Sequence, residues 1–125
     1  MQSFEQLLKQ FEEYFNRRHF PAEPASLYDA SQHILSIGGK RVRPVCVLMG
    51  NELFDAIKPD AWQVATAIEL FHNFSLIHDD IMDDAPLRRG NQTVHEKWDL
   101  NTGILSGDAM LILAYQFFEE YEPIT

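Results

Sequence analysis

The chain has 125 residues, of which 46% are hydrophobic and 23% charged, a composition typical of a single globular domain. Its formal charge of -9 argues against a nucleic-acid or anionic-membrane surface, because both select clustered Lys and Arg. The single cysteine, Cys46, cannot form an internal disulfide, and no apolar run approaches the ~20 residues of a membrane span. The charged, amphipathic start does not resemble a secretory signal, so we expect a cytoplasmic protein.

Apolar residues recur at helical spacing almost throughout, without a convincing alternating strand, and this pattern predicts an all-α helical bundle. The predicted helices cover about residues 3–18, 25–37, 43–54, 59–84 and 104–120, and one further short helix fits before the last. Pro21 and Pro24 break the chain after the first helix, and Gly38-Gly39 ends the second. Pro44 lies in the first turn of the third helix, where its missing N–H costs nothing.

The end of the fourth predicted helix carries four aspartates. Residues four apart stack on a helix, so we expect Asp79 to lie over Asp83 and Asp80 over Asp84. Repulsion between these carboxylates and the partial negative charge of a helix carboxyl end both disfavour this arrangement, unless a cation neutralises the aspartates. Because Mg²⁺ bridges such carboxylates to substrate phosphates, the pattern predicts a magnesium-diphosphate site. A solvated acidic helix end is the alternative.

A line of polar residues runs along the same helix with spacings of three, four and four: His72, Ser75, Asp79 and Asp83. Apolar residues cover most of the remaining surface, as in the central helix of a bundle, so the polar line indicates an internal cleft. His72 could donate a hydrogen bond to a phosphate oxygen there, or it could be a core histidine bonded to a carbonyl.

Five of the ten basic residues lie in two short segments. Residues 38–44 (GGKRVRP) combine glycines, the three cations Lys40, Arg41 and Arg43, and a helix amino terminus, which together suit an anion. Arg88-Arg89-Gly90 follows the aspartates, and a guanidinium matches phosphate oxygens bidentately. Either segment alone could be a solvated turn. Together they predict two anionic subsites, one bridged by metal and one held by cations.

These segments, with residues 93–95 (TVH) and 107–111 (GDAML), resemble the trans-isoprenyl diphosphate synthases, the polyprenyl synthetase family that includes farnesyl and geranylgeranyl diphosphate synthases. The resemblance covers about residues 28–115, and several motifs in the same order are more specific than any one alone. It implies that residues 1–125 form the amino-terminal part of one all-α domain with the isoprenoid synthase fold.

The resemblance also implies a reaction. An allylic diphosphate ionises, the isopentenyl double bond attacks the carbocation, and a proton is lost. Magnesium ions on Asp79, Asp80 and Asp83 would bridge the allylic diphosphate, which Arg88 would also contact. Together these groups would stabilise the departing negative charge. Four residues would hold isopentenyl diphosphate: Lys40, Arg43, His72 and Arg89.

In the same family, two side chains that precede the aspartate motif influence product length. Small Ser75 beside bulky Phe74 looks most like the geranylgeranyl-type pattern, in which these side chains limit the growing chain. A helical wheel places Ser75 under Asp79 and Phe74 on a neighbouring face.

The family's second aspartate-rich motif lies well beyond residue 125, so we expect this chain alone not to catalyse prenyl transfer. Apolar surface left on the fourth and last helices predicts a homodimer or larger oligomer. Three alternatives stay open: a non-catalytic partner subunit of a full-length synthase, a terpene cyclase and a simple divalent-cation binder. The basic segments argue against the last two, because neither has an isopentenyl diphosphate to hold.

Overall fold

The computed structural model describes residues 1–16 and 25–119, and within them the fold is all-α, as predicted. The helices of these residues are α1 (Phe4–Phe15), α2 (Ala25–Ile37), α3 (Val42–Glu52), α4 (Pro59–Met82), α5 (Val94–Lys97) and α6 (Leu100–Glu119). Two short strands, β1 (Leu87–Arg88) and β2 (Asn91–Gln92), lie between α4 and α5. None of the helices in this part of the chain is long and apolar enough to span a membrane.

Helix α4 is the centre of the bundle. It packs against α2, α3, α5 and, most extensively, α6. The core is built from side chains that α4 shares with these neighbours, and its fully buried members include Ile34, Leu48, Leu70, Ile77 and Met110. The prediction that this helix is the central one of the bundle is therefore confirmed.

Helix α1 begins with a capping box, in which Ser3 and Gln6 satisfy each other's backbone N–H groups. It ends at Phe15, three residues before the predicted end. Its buried stripe of Leu7, Phe11 and Phe15 packs against α3. The predicted break at Pro21 and Pro24 lies outside the described residues.

Helix α2 has the predicted bounds, and α3 begins one residue earlier than predicted, with Pro44 in its first turn as expected. Arg41 precedes α3 and adopts a left-handed conformation with φ of 54°. Such a conformation is uncommon for a residue with a side chain, so contacts elsewhere must hold it.

The expected stacking of Asp80 over Asp84 is wrong, because α4 ends at Met82 rather than at Asp84. Asp84 has φ of 51°, and the N–H groups of Asp84 and Ala85 donate to the carbonyls of Ile81 and Asp80. These two bonds form a Schellman motif, which turns the chain off the helix axis. Asp84 therefore leaves the face that carries Asp80.

The hairpin of β1 and β2 was not predicted, because two-residue strands are too short to show alternation. The strands pair Leu87 with Gln92 and Arg88 with Asn91. Arg89 and Gly90 at the turn have φ of 50° and 79°, as a type I′ turn requires. The tight turn holds the two adjacent arginines, Arg88 and Arg89, near the end of α4.

Helix α6 begins four residues before the predicted start. Asp99 accepts a hydrogen bond of 2.7 Å from the backbone N–H of Thr102, which satisfies a free donor of the first turn. This bond also holds the pKa of Asp99 below its usual value. The short helix expected before the last one is α5.

Candidate functional site

A pocket of about 210 Å³ lies between the start of α3, the middle of α4 and the hairpin. The four residues predicted to hold isopentenyl diphosphate, Lys40, Arg43, His72 and Arg89, all line it. They come from three separate elements, and the most distant two are 49 residues apart along the chain. The fold therefore concentrates positive charge at one place in an otherwise acidic molecule. Gly39, Arg41, Val42 and Glu69 complete the lining.

His72 is neutral in this arrangement. Arg43 Nη1 lies 3.3 Å from His72 Nε2, and because a guanidinium can only donate, the ring nitrogen must accept. Burial lowers the pKa of His72, and the positive charge of Arg43 lowers it further. The ring proton is consequently on Nδ1, and an anion that offsets the neighbouring cations would favour protonation of Nε2.

Arg89 joins the hairpin to the loop after α2. Its Nη1 donates to the carbonyl of Gly38 at 2.6 Å. The guanidinium also lies against Gly39, where a Cβ atom would come within 3.2 Å of Arg89 Nη2. A glycine at position 39 therefore lets the guanidinium approach the backbone closely, which gives a physical reason for the second glycine of this segment.

Arg41 does not behave like the cations beside it. It is buried, and its Nη1 donates to Glu69 Oε1 at 2.8 Å. Its Nη2 donates to the Leu35 carbonyl at 3.1 Å. The sequence placed Arg41 in a basic cluster at a helix start, but the structure pairs it with a buried carboxylate of α4. Nothing in the local sequence signals a partner 28 residues away.

The aspartates at the end of α4 lie in two different environments. Asp79 and Asp83 are exposed, whereas the side chain of Asp80 is only 6% exposed. Both carboxylate oxygens of Asp80 accept from Arg88, from Nε and Nη2, at 2.9 Å each. This bidentate pair raises the pKa of Arg88. A metal ion at Asp80 would have to share this carboxylate with Arg88.

Asp84 belongs to a different group. Among the described residues, its carboxylate, His95 and Glu96 are the one set of three or more possible ligands whose donor atoms all lie within 4.8 Å of one another. The carboxylates of Asp79, Asp80 and Asp83 are more widely spread than this. A metal ion at Asp79 and Asp83 therefore needs further oxygen ligands, which water or a diphosphate can provide.

The two residues expected to influence product length lie on different sides of α4. Ser75 Oγ donates to the His72 carbonyl at 2.5 Å and is half-buried. Phe74 packs against the rings of Phe71 and His78, with centroids 5.0 and 5.5 Å away. This placement agrees with the helical wheel, and the role of either side chain in product length stays a prediction.

The comparison with known proteins identifies relatives over nearly the same residues. The Polyprenyl synthetase family model matches residues 24–125. The short chain isoprenyl diphosphate synthase of Methanothermobacter thermautotrophicus is 46% identical over 93 residues, which are 74% of this chain and 29% of that protein. The geranylgeranyl diphosphate synthase of Sulfolobus acidocaldarius is 37% identical over 120 residues, covering 88% of this chain and 36% of that protein.

The three-dimensional comparison agrees. A crystal structure of a geranylgeranyl pyrophosphate synthase superposes with a TM-score of 0.92 at 53% identity, covering 98% of this chain and 37% of that one. This chain thus spans well under half the length of the proteins it matches. The helices described above correspond to the amino-terminal part of the isoprenoid synthase fold. The chain belongs to the polyprenyl synthetase family.

Proposed function

We propose that this chain is the diphosphate-binding, amino-terminal part of a trans-prenyltransferase that condenses an allylic diphosphate with isopentenyl diphosphate. One observation carries the proposal. Three separate elements bring Lys40, Arg43, His72 and Arg89 into one pocket, in a family whose relatives are named as prenyl diphosphate synthases. A cyclase acting on one diphosphate has no use for a second, metal-free anion site.

The cationic pocket suits the diphosphate of isopentenyl diphosphate. Lys40, Arg43 and Arg89 are exposed, so their donors can reach an anion without breaking a buried contact. A bound diphosphate would also favour protonation of His72, because it offsets the cations that lower the pKa of this ring. His72 would then donate from Nε2, at the position where it now accepts from Arg43.

The aspartate end of α4 suits the allylic diphosphate. Exposed carboxylates are the hard oxygen ligands that Mg²⁺ prefers, so Asp79 and Asp83 fit a magnesium ion shared with a diphosphate. Asp80 instead holds Arg88 in place, and Nη1 of that guanidinium takes no part in the pair. Bound Mg²⁺ would stabilise the charge of the leaving diphosphate. Arg88 would add a fixed donor to the same oxygens.

The described residues leave this cleft open, since Asp79 and Asp83 face solvent. An allylic carbocation formed there would react with water before meeting isopentenyl diphosphate. We therefore propose that prenyl transfer needs further protein over the cleft, and that the isolated chain binds ligands without turnover. A non-catalytic partner of a full synthase would have the same anion pocket. Turnover by the chain alone would contradict both this alternative and the need for further protein over the cleft.

Calorimetry on the 125-residue chain tests the metal site. We expect Mg²⁺ to bind measurably only when inorganic diphosphate is present, because Asp79 and Asp83 supply too few ligands alone. Asp79→Asn should weaken binding of the Mg²⁺-diphosphate pair by about tenfold or more. Glu13→Gln, which removes an exposed charge on α1, should leave it unchanged. Equal Mg²⁺ binding without diphosphate would contradict the proposal and favour a simple cation site.

A further inference from the structure

Glu69 is an acidic residue in the lining of the cationic pocket. It lies one helical turn before His72 and is only 4% exposed. An unpaired carboxylate there would repel the phosphate oxygens that Lys40, Arg43 and Arg89 attract. Low exposure makes the repulsion stronger, because water screens it less. The pocket can bind an anion well only if another group neutralises Glu69.

Arg41, which also lines the pocket, neutralises this carboxylate. Both side chains of the pair are almost completely buried, at 3% and 5% exposure, and the ion pair is 2.8 Å long. Asn73 Nδ2 donates to the same Glu69 oxygen at 2.9 Å, so that oxygen is held by two donors. Two of the three guanidinium nitrogens are committed to Glu69 and to the Leu35 carbonyl. These two nitrogens already have protein acceptors, so they are not free donors for an incoming anion.

The same contacts fix the backbone from which the binding groups extend. Arg41 lies between Lys40 and Arg43, and its left-handed φ of 54° sets the direction in which the chain enters α3. Its guanidinium also lies 5.0 Å from the centroid of the Phe15 ring, which anchors it on α1. The Phe15 ring of α1, the Leu35 carbonyl of α2 and the Glu69 carboxylate of α4 therefore converge on one residue of this loop.

We propose that Arg41 is a positioning residue, which neutralises Glu69 and holds Lys40 and Arg43 in place so that the pocket accepts a diphosphate. The inference rests on the proposed anion-binding function of this pocket. It adds to that function Arg41, a residue that acts without contacting the ligand, and Glu69, whose negative charge would otherwise repel the ligand.

Paired substitutions test the charge part of this role on the 125-residue chain. The probe is isopentenyl diphosphate, titrated by calorimetry without divalent metal. Arg41→Met should weaken binding by about tenfold or more, since it leaves a buried carboxylate facing the anion. The double variant with Glu69→Gln should recover most of that loss. Lys9→Met, which removes an exposed cation on α1, should bind like the unchanged chain.

Purely structural damage would give a different pattern. If Arg41 only stabilised the fold, affinity would follow the melting temperature, and the double variant would bind no better than Arg41→Met. Arg41→Met binding as tightly as the unchanged chain would overturn the proposal outright. Should Arg41→Met fail to fold, Arg41→Lys and Glu69→Gln carry the test. Arg41→Lys keeps the Glu69 carboxylate neutralised and Glu69→Gln removes it, so both variants should bind like the unchanged chain. A loss of affinity of about tenfold in either one, without a lower melting temperature, would overturn the proposal.

NMR titration of His72 is a second readout that needs no ligand. Burial and the charge of Arg43 lower the pKa of His72, and the charge of Glu69 partly offsets them. Arg41→Met should therefore raise the pKa of His72 by leaving Glu69 unpaired, and Glu69→Gln should lower it. An unchanged His72 titration in both variants would overturn the electrostatic role of Arg41. Failure of the unchanged chain to bind isopentenyl diphosphate, with the expected His72 shifts, would instead contradict the proposed function and leave the charge pairing supported.

Discussion

At the scale of single residues, the adjacent aspartates Asp79 and Asp80 have different surroundings. Asp79 faces solvent on the polar line of α4, while Asp80 is enclosed with Arg88. Adjacent residues on an α-helix are separated by about 100° of rotation, which is enough to place one on an exposed face and the next on a buried face. Sequence alone treats the two as equivalent members of one motif, so their separation emerges only from packing.

The same substitution should change stability at Asp80 but hardly at Asp79. Asp80→Asn removes one side of a largely buried bidentate pair, so we expect the free energy of unfolding to fall by about 2 kcal/mol. Asp79→Asn relieves repulsion on an exposed helix end, and stability should stay within about 0.5 kcal/mol. Urea denaturation measures both. Equal stability of the two variants would show that the Asp80–Arg88 pair is unimportant for the fold.

At the scale of helices, α4 and α6 approach closely because Gly107 has no side chain. A Cβ atom at position 107 would collide with the ring of His78. That ring is held by the Ile104 carbonyl, 3.2 Å from Nε2, and by packing against the Phe74 ring. Close packing against His78 therefore gives a physical reason for the glycine of the GDAML segment.

Gly107→Ala should consequently destabilise the chain by about 1–3 kcal/mol, the usual range for an overpacked contact. Gly50→Ala is the matched control. It is also helical, but nothing lies within 4 Å of the added Cβ, so alanine should stabilise by about 0.5–1 kcal/mol. Thermal unfolding of both variants decides the point. A destabilised Gly50→Ala with an unaffected Gly107→Ala would contradict the packing described for α4 and α6.

Helix periodicity and breakers allowed most of the elements to be predicted, because both signals are local. The prolines and glycines gave α2 and the start of α3 to within one residue. The start of α6 was predicted late, since the Asp99 cap was not recognised. The end of α4 was predicted late as well, because a Schellman turn at Asp84 depends on backbone geometry.

The candidate site divides in the same way. Its charged residues were identifiable from two short basic segments and an aspartate cluster. Three contacts could not be predicted: Arg41 with Glu69, Arg88 with Asp80 on both oxygens, and Arg89 with the Gly38 carbonyl. Each joins residues from different elements, and spacing along one helix carries no information about such pairs.

At the scale of the whole molecule, α4 and α6 carry apolar side chains that the described residues do not cover. Leu105, Ile112 and Tyr115 are more than half exposed. Their spacing of seven and three residues places them on one face of α6. Phe71 of α4 is also exposed, at 43%. Exposed apolar surface of this kind favours association.

We therefore expect the chain to form a dimer or larger oligomer in solution. Ile112→Glu places a charge in the middle of this face and should shift the population toward monomer. Phe54→Glu is the control, because Phe54 is 91% exposed at the end of α3 rather than on α6. Sedimentation velocity measures the distribution. A monodisperse monomer for the unchanged chain would rule out this prediction.

The location of the metal-diphosphate complex is the most direct test of the proposed function. Mn²⁺ can replace Mg²⁺ at oxygen sites and broadens nearby NMR signals, so it reports position rather than affinity alone. With inorganic diphosphate present, we predict selective broadening of the signals of Asp79 and Asp83. Broadening confined to Asp84, His95 and Glu96, or broadening at the aspartates that is the same without diphosphate, would contradict a prenyltransferase-type diphosphate site.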